Sequence, residues 1–97
     1  MKYSRKDYIK IIKHYGEAFQ HEKASEELRE LDKEIWRYMD TGNNAKERLS
    51  ELADVCNMMV QLQIMWDIHG DDLCAEMDRK MQRTLERIEI EKESVKL

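Results

Sequence analysis

Apolar residues recur every three or four positions along most of the chain, which is the spacing of amphipathic helices. The three glycines, Gly16, Gly42 and Gly70, each follow such an apolar run. Because glycine tolerates the left-handed conformation just beyond a helix end, we place a helix boundary at each of them. The pattern therefore predicts four helices and an all-α fold.

Capping patterns and acidic residues place the helix starts. Ser4 is followed by Asp7, and Asn44 is followed by Glu47, so both pairs resemble capping boxes at the starts of helices 1 and 3. Acidic residues near position 71 suit the start of helix 4, and the polar residues from about 91 are expected to fray. The predicted helices begin near residues 4, 17, 45 and 71, helix 2 stops before Gly42, and helices 1, 3 and 4 end near residues 15, 69 and 90.

The third predicted helix is apolar around most of its circumference. Between Leu52 and Trp66 the only polar residues are Asp54, Asn57, Gln61 and Gln63. A helix that is apolar nearly all round is buried on several sides, and a chain of 97 residues buries only a modest share of its surface alone. We therefore expect a four-helix bundle-type subunit that assembles into a dimer or a dimer of dimers.

The charge and the composition of the chain argue against several classes of function. The chain has a formal net charge of −4, which argues against a broad nucleic-acid surface because such a surface needs a basic patch. No apolar run approaches 18 residues, so we expect no membrane span, and no apolar signal core follows the charged N-terminus. Cys56 and Cys74 are too few for a disulfide scaffold. One folded domain over residues 1–97, in a cytoplasmic setting, fits these features.

Two of the predicted helices carry groups of carboxylates. Helix 2 contains Glu26, Glu27 and Glu30, and helix 3 contains Glu51 and Asp54. Residues three apart share a helix face, so carboxylates from the two helices can meet along one groove. Clustered carboxylates repel one another unless they protonate or bind a cation. Hard oxygen ligands favour Mg²⁺ or Mn²⁺, and Mg²⁺ commonly bridges carboxylates to substrate phosphates, which indicates nucleotide chemistry.

A solvated helix face is the ordinary alternative to a metal site. Glutamate is common on exposed surfaces, so the glutamates of helix 2 alone would not indicate a site. Glu51 and Asp54 carry more weight, because Asp54 interrupts an apolar stretch and charges are rarely buried unpaired. The polar stripe formed by Asp54, Asn57 and Gln61 either faces solvent or lines a pocket.

The heights of the carboxylates along the hairpin set a condition on this site. At about 1.5 Å per residue, the helix 2 pair lies several ångströms further from the turn than the helix 3 pair if helix 2 extends to Thr41. If helix 2 ends near Tyr38, the two carboxylate pairs lie at the same distance from the turn within roughly 3 Å. The metal-site interpretation therefore predicts a loop over residues 39–44.

The two acidic motifs resemble the defining pattern of the MazG-like all-α nucleoside triphosphate pyrophosphohydrolases. The pattern E-E-x-x-E is matched by residues 26–30, and E-x-x-D is matched by residues 51–54 after a spacer of twenty residues. The likeness extends through the segments YGEAFQHEKASEELREL, ELADVCNMMVQLQIMWDIHG and MDRKMQRTLERI, and so covers roughly residues 8–90.

The resemblance implies Mg²⁺-dependent hydrolysis of a nucleoside triphosphate between the α and β phosphates, which yields the monophosphate and pyrophosphate. It implies these metal ligands: Glu27, Glu30, Glu51 and Asp54. The metal would orient and neutralise the phosphates and lower the pKa of the attacking water. Glu26, or one of the ligands, is a candidate general base.

Other residues are candidates for binding the substrate, and each also has a structural explanation. Lys23 suits phosphate oxygens or a pair with Glu27. Three cations on one side of helix 4 suit phosphate oxygens or solvent: Lys80, Arg83 and Arg87. Gln20 and Asn57 suit base or sugar contacts or structural hydrogen bonds. The tryptophans and central methionines are expected in the core: Trp36, Trp66, Met58, Met59 and Met65.

Two other functional classes are alternatives to the enzyme. A di-iron carboxylate bundle needs Glu-x-x-His twice, and none of the three histidines has a glutamate three residues before it. A non-catalytic helical dimer that serves as an interaction or regulatory module is the stronger alternative, because the same apolar helix 3 would explain it.

Overall fold

The computed structural model describes residues 2–96 and contains four α-helices in that part of the chain. They are α1 (Arg5–Tyr15), α2 (Glu17–Thr41), α3 (Ala45–Met65) and α4 (Gly70–Lys96). No strand is present between residues 2 and 96, so the all-α prediction is confirmed. The backbone forms two compact units, one ending at Asp67 and one beginning at Ile68.

The first unit is an α2–α3 hairpin against which α1 packs. Its core is small and lies between α2 and α3, where Ala24, Met58 and Leu62 form a buried cluster against which Met65 packs. The other buried apolar residues among those described are Ile12 and Val55. So small a core leaves many apolar side chains of the hairpin exposed.

Three large side chains predicted in the core are exposed instead. Trp36 is 65% exposed, Trp66 is 56% exposed and Met59 is 53% exposed. The buried cluster between α2 and α3 includes none of them, although the indole N–H of Trp66 donates to Nε2 of His21 on α2 at 2.9 Å. Met58 is buried and Met65 is partly buried, as the sequence predicted.

The capping hydrogen bond that the sequence predicts is present at the start of α1. At the start of α3 the predicted side-chain cap is absent. The backbone N–H of Ser4 donates to Oδ2 of Asp7 at 2.8 Å, which confirms the acidic half of the predicted capping box. Asn44 precedes α3 as predicted, but its side chain makes no capping hydrogen bond. Asn44 is left-handed, with φ of 65°, whereas a capping residue is normally extended. Asn44 therefore contributes a left-handed backbone conformation to the tight loop after Gly42, and its side chain does not cap α3.

The helix ends differ from the sequence prediction at α2 and α3. The prediction that α2 ends near Tyr38 is wrong, because α2 continues to Thr41 and left-handed Gly42 closes it with an N–H donated to the Tyr38 carbonyl at 2.9 Å. α3 ends at Met65 and not near residue 69, because Asp67 takes the left-handed position with φ of 51°. Gly70 then begins α4.

The second unit is the long helix α4. It remains helical through residues 91–96, which were expected to fray, and Lys92 pairs there with Glu89 at 3.6 Å. Its apolar stripe is exposed and consists of Leu73, Met77, Met81, Leu85 and Ile88. Across residues 2–96, no helix combines the length and the hydropathy that a membrane crossing requires.

Candidate metal centre

Three carboxylates from the two acidic motifs converge between α2 and α3. Glu27, Glu51 and Asp54 each contribute one oxygen, and these three oxygens lie within 4.8 Å of one another. Glu51 and Asp54 share a face of α3 because they are three residues apart. The Glu27 side chain is 13% exposed, Glu51 is partly buried and Asp54 is exposed. The group therefore opens from a partly buried floor to solvent.

The carboxylates meet although α2 extends to Thr41, so the predicted condition on the end of α2 was wrong. The alignment of α2 against α3 brings the carboxylates together, and the pair formed by Gln20 and Gln61 shows that alignment. Gln20 and Gln61 each lie seven residues further from the turn than Glu27 and Asp54, and their side chains are hydrogen-bonded directly at 2.7 Å. The two helices thus keep one register along this length, and it brings Glu27 opposite Asp54 although the two residues lie different numbers of residues from the turn.

Glu51 is the electrostatically strained member of the group. Burial raises the pKa of its carboxyl, and the neighbouring charges of Asp54 and Glu27 raise it further, with smaller contributions from Glu47 and Glu30. Its Oε2 is closed off from solvent and accepts no hydrogen bond from the described part of the chain. A cation would offset both the repulsion and the missing hydrogen-bond partner.

Lys23 lies at the rim of the group. Its Nζ is 3.2 Å from Oε1 of Glu27 and 3.9 Å from Oε1 of Glu26. The hydrogen bond to Glu27 and the charges of both glutamates raise the pKa of Lys23. The pairing with Glu27 that the sequence offered as an alternative is therefore present. Glu26, the candidate general base, is exposed and lies outside the three-carboxylate group.

Glu30, the fourth predicted ligand, does not join the group. Its side chain is half-exposed, and its Oε1 lies 3.5 Å from Nζ of Lys33. Its charge still contributes to the raised pKa of Glu51, so it lies within electrostatic reach. The structure thus brings together three of the four predicted ligands and leaves the fourth beside them.

The polar stripe of α3 faces α1 and α2. Gln61 is buried and accepts the hydrogen bond from Gln20, which places Gln20 inside the α2–α3 interface. Oδ1 of Asn57 accepts a hydrogen bond from the hydroxyl of Tyr8 at 2.9 Å. Tyr8, Asn57 and Gln61 line part of a cavity of about 450 Å³. Of the two amides predicted to contact substrate, Asn57 therefore borders a cavity and Gln20 is used in packing.

The predicted phosphate-binding cations of helix 4 share one side of α4, since their positions differ by three and four residues. Lys80, Arg83 and Arg87 are all exposed. They belong to the second unit.

Two residues that border these features were not singled out from the sequence. Tyr8 holds the amide of Asn57, and no sequence pattern links it to helix 3. Glu34 is buried at the α2–α3 interface. The signal for Glu34 was present, because it follows Glu27 by seven residues and so lies on the same face of α2.

The donor set of the group fits a hard divalent cation. All three donors are carboxylate oxygens, which Mg²⁺ and Mn²⁺ prefer over nitrogen or sulfur. Two oxygens on opposite sides of Mg²⁺ lie about 4.2 Å apart at Mg–O lengths of about 2.1 Å. Three donors on one octahedral ion include at least two adjacent pairs, about 3.0 Å apart, so the observed separations of 4.8 Å or less would have to shorten when the ion binds.

Comparison of this chain with protein-family models, with curated proteins and with solved structures found no match.

Proposed function

We propose that this protein is a Mg²⁺-dependent nucleoside triphosphate pyrophosphohydrolase. The observation that carries the proposal is the convergence of Glu27, Glu51 and Asp54, which come from two acidic motifs on different helices. The orphaned Oε2 of Glu51 supports it independently, because a buried carboxylate oxygen normally has a partner. The resemblance to MazG-like enzymes supplies the reaction.

Metal binding, phosphate binding and proton transfer can each be assigned to residues of this chain. Glu27, Glu51 and Asp54 would hold the metal, and Glu30 would become a fourth ligand by rotating away from Lys33. Bound Mg²⁺ supplies charge neutralisation at the phosphates and a more acidic attacking water. Lys23 fixes Glu27 by its ion pair and presents a positive charge at the rim, where phosphate oxygens would arrive. Glu26 remains the candidate base.

One further substrate contact is proposed from its position in the first unit, and others from charge alone. Asn57 lies one helical turn beyond Asp54, so its amide suits the sugar or base of a nucleotide whose phosphates lie at the metal. The basic side of α4 carries three charges that suit phosphate oxygens or solvent. These are Lys80, Arg83 and Arg87.

Self-association is part of the same proposal. Only five apolar side chains of the described residues are buried, and none of the large ones is completely enclosed. Exposed apolar surface on this scale marks an interface in a folded protein. We therefore propose a dimer or a dimer of dimers built on α2 and α3. The second candidate function, a non-catalytic helical interaction module, is favoured by the exposure of Trp36 and Met59.

The test is pyrophosphate release from a panel of nucleoside and deoxynucleoside triphosphates, with Mg²⁺ and with excess chelator. The enzyme should release pyrophosphate from at least one substrate only with the metal. Asp54→Asn should lower that rate at least about 100-fold while the helix content is retained, since it removes a ligand. Glu22→Gln, an exposed change on α2 outside the site, is the control. Absence of metal-dependent turnover across the panel would leave the interaction module.

A further inference from the structure

The cavity of about 450 Å³ between α1 and α3 begins one helical turn from the metal centre. Tyr8 and Ile11 of α1 border it, as do Asn57 and Gln61 of α3. Asn57 follows Asp54 by three residues and Gln61 follows it by seven, so all three lie on one face of α3. At about 1.5 Å per residue, Asn57 lies about 4.5 Å along the helix axis from Asp54, and Gln61 lies about 10 Å from it. The cavity therefore continues the metal centre along α3.

The side-chain amide of Asn57 is held at the wall of this cavity by Tyr8. The hydroxyl of Tyr8 donates to Oδ1 of Asn57 at 2.9 Å, which joins α1 to α3. This is the only side-chain hydrogen bond that Asn57 makes within residues 2–96. An asparagine nitrogen carries two further donors, and the side chain is exposed. Tyr8 thus uses the oxygen of the amide and leaves the nitrogen to donate to a ligand.

The rest of the cavity suits the nucleoside part of a nucleotide. Tyr3, Tyr8 and Ile11 line it, and aromatic and branched side chains pack well against a flat heterocycle. Its volume of about 450 Å³ falls within the range of about 300–1,000 Å³ that is typical of ligand pockets. Such pockets combine mostly apolar walls with a few polar groups that fix the orientation of the ligand. The amide nitrogen of Asn57 is such a group.

We propose that this cavity binds the nucleoside of the substrate, and that Tyr8 positions Asn57 so that its amide nitrogen donates to a nucleoside oxygen. The inference rests on the proposed function, which places the phosphates at the metal centre. The oxygen belongs to a sugar hydroxyl or to a base carbonyl, since both accept a hydrogen bond from an amide. The hydroxyl of Tyr8 acts through Asn57, so Tyr8 is a positioning residue and Asn57 is the contact.

The experiment measures KM and kcat with the nucleotide that is used best in the panel. Tyr8→Phe removes only the hydroxyl, and Asn57→Leu removes the amide. Each variant should lower kcat/KM by roughly 3- to 10-fold, as expected for the loss of one hydrogen bond. The loss should come from a higher KM. At saturating nucleotide, kcat and the Mg²⁺ concentration for half-maximal rate should stay unchanged, whereas a distorted metal centre would change both.

A matched control and a second substrate make the result specific. Tyr15→Phe removes the same hydroxyl from an exposed tyrosine of α1 that does not border the cavity, so it should leave KM unchanged. The 2′,3′-dideoxy form of the same nucleotide identifies the acceptor. If Asn57 donates to the sugar, Asn57→Leu should cause no loss with the dideoxy substrate. If it donates to the base, the loss should be the same with both substrates.

A third variant tests the cavity without relying on turnover. Ile11→Trp fills the cavity from a partly exposed position of α1, so it should raise KM even if Tyr8→Phe folds poorly. The same variant is tested for binding of the free nucleosides by saturation-transfer NMR in chelator. The wild type should bind at least one nucleoside, and Ile11→Trp should abolish that binding.

The outcomes separate this inference from the proposed function. Turnover with a KM that Tyr8→Phe, Asn57→Leu and Ile11→Trp all leave unchanged overturns the inference and leaves the proposed function standing. An equal rise of KM in Tyr8→Phe and Tyr15→Phe also overturns it. No turnover across the panel refutes the proposed function, and the NMR measurement then decides the inference. Nucleoside binding that Ile11→Trp abolishes would support the cavity as the nucleoside site, and binding that is absent or insensitive to Ile11→Trp would overturn it.

Discussion

Nε2 of Gln20 donates to Oε1 of Gln61 at 2.7 Å, between two side chains that are each 4% exposed. The hydrogen bond joins α2 to α3 beside the buried cluster of Ala24, Met58 and Leu62. It also marks the register that brings Glu27 opposite Asp54. A polar pair at this depth is satisfied only while both members are present.

Removing one member of this pair should destabilise the hairpin. Gln20→Leu leaves the buried Oε1 of Gln61 without its donor, which should lower the free energy of unfolding by about 1–3 kcal/mol. The double variant Gln20→Leu/Gln61→Leu removes the orphaned group and should recover part of that loss. Chemical denaturation of the single and double variants measures both effects. A Gln20→Leu variant within about 0.5 kcal/mol of wild type would show that the pair contributes little.

The raised pKa of Glu51 predicts how the stability of the metal-free protein depends on pH. The folded state holds a proton on Glu51 more tightly than the unfolded state does, so folding binds protons between the unfolded and the folded pKa. Glu51 therefore destabilises the fold as pH rises through that window, which begins at the ordinary glutamate pKa and extends upward. Thermal unfolding in chelator should show stability falling there, and Glu51→Gln should flatten that part of the profile.

Measuring the same pH dependence with Mg²⁺ bound tests whether it arises from the carboxylates of the metal centre. The cation favours ionised carboxylates, so saturating Mg²⁺ should raise the melting temperature of the wild type most above the window and little below it. Glu51→Gln should lose most of that gain. Equal metal-induced stabilisation in the two proteins would mean that the ion binds elsewhere.

The exposed apolar surface of the hairpin leads to a prediction about assembly. Met59 is exposed in the middle of α3, so Met59→Glu places a charge in the proposed interface and should shift the protein toward the monomer in sedimentation equilibrium. Ser50→Glu adds the same charge at an exposed polar position of α3 and should leave the assembly unchanged. A wild-type protein that is monomeric at high concentration would refute the assembly.

The helices themselves were predictable because local signals determine them. Hydrophobic periodicity gave the number of helices, Gly16 and Gly42 mark two junctions, and Ser4 with Asp7 caps α1. The end of α3 was misplaced because Asp67, and not Gly70, takes the left-handed position. Aspartate adopts that conformation less often than glycine does, so the sequence favoured the wrong residue.

The candidate site was predictable in its residues and less so in its geometry. Motif spacing identified Glu27, Glu51 and Asp54, but counting residues from the turn did not give the register of α2 against α3, which the hydrogen bond between Gln20 and Gln61 shows. Glu30 remains beside Lys33. The position of Glu30 on the same helix face as Glu27 does not reveal this ion pair. The spacing of seven residues puts Glu34 on the same face of α2 as Glu27, but the degree of its burial depends on how α2 packs against α3.

The most direct test of the metal-dependent hydrolase is a ³¹P NMR time course of a nucleoside triphosphate with the purified protein and Mg²⁺. The substrate is the one that releases most pyrophosphate in the panel. We expect its signals to be replaced by those of a nucleoside monophosphate and pyrophosphate, with no reaction when chelator replaces Mg²⁺. Release of inorganic phosphate with a nucleoside diphosphate, or an unchanged spectrum in the presence of Mg²⁺, would contradict the account.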